Sequence, residues 1–216
     1  MTYHKYRKLF ITTLFCCAVF GGCSNIKIND SNALIKASAA NYLKKNSELE
    51  EYVAKVSKRI LMVSDAPSLN CKFIITNENK KIIEINKSGI ITISRKTLET
   101  LKDEAQLAAI ISYIMVQFKP EYKNKTSFFS ESEAISYDKL SMVCLARAGY
   151  NPMAAIELQE IYHGKGIRHS NWLNNVFLKY NISAARINTN KRTLENLPKS
   201  AERSEQNYQK NLGLQE

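Results

Sequence analysis

The chain has 216 residues, 44% hydrophobic and 24% charged, the balance of one folded domain with appendages and not of a disordered chain. Seven glycines and four prolines exclude collagen-like or linker-dominated architecture, and five cysteines, three of them in the first 23 residues, exclude a disulfide scaffold. The net charge of +11 comes from a chain rich in Lys and Asn throughout, with no aromatic-basic stripe, so the charge is compositional and no nucleic-acid partner is expected.

Residues 1–22 read as an address. Lys5, Arg7 and Lys8 precede Leu9–Phe20, an uncharged and mostly apolar run. A mature membrane span needs about 20 such residues, so this shorter run fits a secretory signal. Gly21-Gly22 ahead of Cys23 resembles the lipobox of bacterial lipoproteins, with Phe20 where Leu is usual. That resemblance implies cleavage before Cys23, acylation of its thiol and a lipid anchor in the bacterial cell envelope, facing the periplasm. A plain signal peptide or a signal anchor is the other reading. Ser24 is not the Asp that favours inner-membrane retention in such lipoproteins, which points to the outer membrane. Removing residues 1–22 takes three basic side chains and leaves +8. Residues 23–46 are expected to be a tether with helical content in their second half.

Ser47 and Glu50 form an S-x-x-E capping pattern ahead of Leu49, Val53, Val56, Ile60 and Val63 at helical spacing, which predicts an amphipathic helix over 48–64. Asp65-Ala66-Pro67 closes it. Strands are expected at Cys71–Thr76, Lys81–Ile85 and Gly89–Ser94, the last two joined as a hairpin through Asn86–Gly89. Lys102–Phe118 is apolar on almost every face, the mark of a buried helix. After Lys119-Pro120 and a polar loop, a helix is expected over Glu131–Ala148 with Gly149 at its C-cap. Asn151 and Pro152 open another that runs to Tyr162. Short helical pieces at Ser170–Leu178 and Ser183–Thr189 precede a polar tail, 198–216, expected to be a loose helix or frayed. A helix, a small sheet and then several helices make an α+β domain, mostly helical, over 47–197.

Four strings carry a family resemblance. Ser88–Leu98 (SGIITISRKTL), Glu104–Ile111 (EAQLAAII), Ala148–Pro152 (AGYNP) and the pair Arg186-Ile187 follow one another as similar strings do in metallopeptidase family forty-eight. These are the zinc peptidases of the HtpX and BepA kind. The resemblance covers about 48–190 and implies a zincin-like peptidase domain. In that family an H-E-x-x-H motif follows the second string, two imidazoles at i and i+4 binding zinc and a Glu between them acting as general base. Here the window is Tyr113-Ile114-Met115-Val116-Gln117, with Tyr113 and Gln117 at the ligand positions and Ile114 at the base position. Counting back from AGYNP puts the third ligand at Ala134, with Asp138 retained four residues on, and a further family histidine aligns with Tyr180. No zinc or other cofactor is therefore expected. Tyr113 and Gln117 are expected to hydrogen-bond to each other or to Asp138.

A replacement metal site would draw on His163 and His169, which flank Gly164-Lys165-Gly166, with Glu131, Glu133 or Asp138. Two loop histidines are ordinarily solvated surface, and Glu131 and Glu133 suit the start of a helix. Cys71 and Cys144 could pair in an oxidising periplasm, although a strand and a helix cysteine are more often separate apolar fillers. Ser112 and Tyr113 have no histidine in local sequence to activate them. The resulting expectation is a lipid-anchored pseudopeptidase that binds peptide or envelope proteins in a chaperone or assembly role. Its binding edge is expected at Ile82, Ile83 and Glu84 or at Gly89, Ile90 and Ile91. The competing readings are a zinc metalloendopeptidase with displaced ligands and a purely structural lipoprotein.

Overall fold

A computed structural model describes residues 28–65, 70–122, 130–199 and 202–214. The secretory segment, Cys23 and the start of the tether lie outside the described residues, as do Ala66, Pro67, most of the polar loop before Ser130 and the last two residues. The chain divides into residues 1–40 and 41–216. The described part of the first unit is the opening of helix α1 (Ile28–Leu61).

No glycine or proline occurs between residues 28 and 61, and Ala, Leu, Lys and Glu are frequent there, so helix propensity carries α1 unbroken through Ser47. This corrects the expected helix start at 48. Ser47 is exposed inside the helix, and Glu50 serves another purpose. The Glu50 carboxylate accepts from the Ile75 N–H at 2.9 Å, and Asn46 Nδ2 donates to the Ile75 carbonyl at 3.2 Å. Two side chains one helical turn apart thus occupy both outward groups of a strand residue.

That strand is β1 (Lys72–Thr76), followed by β2 (Ile83–Ile85) and β3 (Ile90–Ser94). The sheet order is β1-β3-β2, with β1 parallel and β2 antiparallel to β3. Phe73, Ile75, Ile83, Ile91 and Ile93 are buried, the alternation of strands with one face on a core. Gly89 closes the hairpin at φ +81°, and a Cβ there would lie 3.0 Å from the Asn70 carbonyl. Glycine is required on both counts.

Ser94 leaves the sheet as the N-cap of a short helix, α2 (Arg95–Leu98), which periodicity did not indicate. Its hydroxyl and that of Thr97 bind the Ile82 N–H at 3.1 and 2.8 Å, and Thr97 Oγ1 returns a bond to the Ile82 carbonyl at 3.0 Å. The entry to β2 is fixed by this pair.

Helix α3 (Glu104–Gln117), capped by Asp103, is buried from Glu104 to Val116 as its sequence requires. It packs on α4 (Glu131–Arg147), α5 (Met153–Lys165) and α7 (Glu205–Leu212). A full capping box, Ser130 with Glu133, starts α4, and Gly149 at φ +82° follows its end beneath Arg59. Asn151 Oδ1 accepts from the Met153 N–H at the start of α5. Helix α6 (Ala184–Leu194), capped by Ser183, outruns its expected end at Thr189 and packs on α4 and α5.

One further expectation fails. Residues 171–179 form successive turns and not a helix, and they end with Leu178 and Lys179 at φ 51° and 54°, where a right-handed helix cannot continue. Of the two readings of the tail, a loose helix or a frayed end, the structure has a helix, and it is docked. Tyr208 and Leu212 on α7 are fully buried, and the Tyr208 hydroxyl donates to the Leu98 carbonyl at 2.6 Å. Arg203 joins Asp103 at 2.6 Å and Glu157 at 2.8 Å.

Candidate functional site

Tyr113 and Gln117 lie one turn apart on α3, where it faces α4 and the 171–179 turns. Gln117 Nε2 reaches the carbonyls of Asn175 and Val176 at 2.8 and 3.2 Å and the Tyr137 hydroxyl at 3.2 Å. Tyr137 in turn donates toward the Val176 carbonyl at 2.7 Å and the Tyr113 carbonyl at 2.9 Å. The Tyr113 hydroxyl accepts from Gln159 Nε2 at 2.6 Å. Asn190 Nδ2 bridges the Gln159 carbonyl oxygen, at 3.1 Å, to Asp138. Arg186 closes the network with two bonds to Asp138, Nε to Oδ2 and Nη2 to Oδ1, both 2.7 Å.

Three of the residues singled out in the sequence therefore come together, although Tyr113 and Gln117 bond to other partners and not to each other. Ala134, fully buried, contributes its carbonyl to Arg186 Nη2 at 3.4 Å. The Tyr180 ring lies 5.1 Å from the Arg186 guanidinium carbon. Ile114 is core. Gln159, Arg186 and Asn190 complete the arrangement. Arg186 belonged to a family-like string without an assigned role, the signal for Gln159 was a lone amide on an apolar helical stripe, and Asn190, on a mostly polar helix, had no local signal.

The space is filled by rings. Tyr113 packs against Tyr137 at 5.3 Å and Phe177 at 4.9 Å between centroids, and Phe177 against Tyr162 at 5.0 Å. Burial pushes the phenols of Tyr113 and Tyr137 well above their ordinary range, so neither offers a base near neutral pH. Burial also raises the Asp138 carboxyl, against the opposing pull of Arg186 and Asn190.

The residues present do not fit zinc. A neutral phenol and a primary amide stand where two imidazoles would be needed, and both are committed to protein partners. Among the described residues no group of three or more His, Cys, Asp or Glu is placed to hold a metal ion. His163 is exposed with Nδ1 2.7 Å from the Ile182 carbonyl, and His169 is exposed on the loop. Glu133 is spent on its capping box. Cys71 and Cys144 are free thiols. Burial pushes Cys71 up to about 11, and its Sγ lies 3.8 Å from Met115 Sδ.

A second region is open. A cleft of about 780 Å³ runs along the outer edge of β2, lined by Lys80–Glu84 on one side and by residues from Lys165 to Lys179 on the other. Its size is within the roughly 300–1,000 Å³ of ligand clefts. In the antiparallel pairing of β2 with β3, Glu84 faces Thr92 in a bonded pair, so the backbone groups of Ile83 and Ile85 point outward. Asn175 Nδ2 donates to the Ile83 carbonyl at 2.7 Å, the contact that a neighbouring strand would make. Ile82, Ile83 and Glu84 line the cleft. Gly89, Ile90 and Ile91 do not, because β3 is the central strand and both its edges are paired.

No protein-family model matches the chain, and no curated protein matches it significantly. Among the described residues no helix is long and apolar enough to cross a membrane.

Proposed function

We propose that the chain is a lipid-anchored envelope pseudopeptidase, a zincin-like domain that binds peptide or envelope-protein segments in a chaperone or assembly role. The anchor is Cys23, and the protein faces the periplasm, with the outer membrane favoured. Peptide lies along Ile82, Ile83 and Glu84, and Tyr113, Ile114, Gln117 and Asp138 do no chemistry.

One observation carries the reading: the positions of the resembled metal ligands are sealed into a buried network, while the neighbouring strand edge opens onto a cleft. Turnover needs a metal or a base, whereas binding needs only the edge and the cleft. The four family-like strings and the lipobox-like Gly21-Gly22-Cys23 support the rest.

The test uses the full-length chain in detergent with Zn²⁺, labelled casein and a chemically unfolded outer-membrane polypeptide. Casein is expected to remain intact, and light scattering by the unfolded polypeptide is expected to fall. Chelator-sensitive cleavage would overturn the reading in favour of a peptidase, and unchanged scattering would overturn it in favour of a structural lipoprotein. Cys23→Ser should release the chain from the membrane fraction.

A further inference from the structure

Resting on the peptide-binding reading of this cleft, we propose that its ligand is an acidic extended segment, added as a strand outside β2 with its carboxylates among the lysines. Lys80, Lys81, Lys165, Arg168 and Lys179 line the cleft, with Glu84 as the only carboxylate among the described lining residues and His169 beside them. Among the described residues none of the five cations has a carboxylate partner, although Lys and Arg elsewhere in the fold do. Lys81 instead rests over the Trp172 ring, 5.9 Å from its centroid. Burial, and then the charges of Lys165 and Lys96, hold the Lys81 pKa below its ordinary value. The cations repel one another across a concave surface, and an anionic ligand relieves that repulsion.

The wall opposite β2 is built to stay in place. Asn171 Nδ2 binds the Gly166 carbonyl at 2.7 Å and Asn174 Nδ2 the Arg168 carbonyl at 2.6 Å. Lys179, at φ 54°, is held by its N–H on the Asn174 carbonyl at 2.7 Å. A non-glycine residue keeps that conformation only where its surroundings impose it. Here the result presents a lysine to the cleft.

Shape selects the occupant. The Ile83 N–H and both backbone groups of Ile85 point outward at the β2 edge, and Asn175 already places an amide donor on the Ile83 carbonyl. A flat bilayer cannot follow cations into a cleft or pair with strand backbone. An extended peptide does both, its alternate side chains projecting toward the lysine-lined walls.

The experiment measures fluorescence anisotropy of a labelled peptide of alternating Glu and Val on the full-length chain in detergent. The same peptide with Gln for every Glu is the control, and vesicles carrying anionic lipid are the competitor. The acidic peptide is expected to bind at least about tenfold more tightly than the Gln peptide. Added salt should weaken it, and the exposed-site double variant Lys165→Gln, Arg168→Gln should weaken it about tenfold while leaving the Gln peptide unchanged. Equal affinity for the two peptides would overturn the acidic specificity and leave the peptide-binding reading standing. Binding of neither would overturn both. Displacement by vesicles with no selectivity between the peptides would identify a lipid-surface site and overturn the proposal.

Discussion

Asp138 is held as a structural group, fully buried and bound by Arg186 through two 2.7 Å bonds. Removing one member of a buried pair leaves an uncompensated charge, at a cost of about 3–5 kcal/mol. Asp138→Ala is therefore expected to lower unfolding stability by about that amount in a urea titration. A loss below about 1 kcal/mol would show that the network is not structural. Tyr113 and Gln117 could be singled out in the sequence because two residues one helical turn apart can be counted. The partners Gln159, on α5, and Arg186 and Asn190, on α6, could not, because only the fold brings those two helices to α4 and Asp138.

At the scale of elements, legibility followed the strength of the local pattern. Helix α3 was plain from a run with no polar face, and the β2–β3 hairpin from two apolar runs around Asn86–Gly89. The start of α1 was misplaced because S-x-x-E signals a cap only where the preceding residues leave the helix, and residues 28–46 do not. The sheet order was illegible, since nothing local says that β1 pairs beyond β2. The docking of helix α7 was illegible for a different reason. Eight mostly polar residues bury only Tyr208 and Leu212, a signal too sparse for periodicity. Tyr208→Ala should cost about 3–5 kcal/mol, as for other buried aromatics, with the loss read from chemical denaturation. A shift near zero would mean that the C-terminal segment is not integral to the domain.

For the whole molecule, long-range ion pairs tie the C-terminal segment and the end of α1 to the rest. Hydrogen bonding to Arg59 holds the Glu202 carboxyl below its ordinary value, and Lys119 does the same for Asp65. Each lowered value means that the folded chain gives up the proton more readily than the unfolded one. The stabilisation is complete above the unfolded-state pKa, about 4, and disappears as pH falls through the lower folded value. Tm measured downward from about pH 6 should therefore drop below about pH 4, and Glu202→Gln should make that drop shallower. An unchanged acid limb would contradict this. The central proposal, that the network around Tyr113, Gln117 and Asp138 is structural and holds no zinc, is tested most directly by elemental analysis of the purified full-length chain after incubation with Zn²⁺ and desalting. The account predicts a metal-to-protein ratio near zero. A ratio near one that Tyr113→Phe or Asp138→Asn diminishes would contradict it.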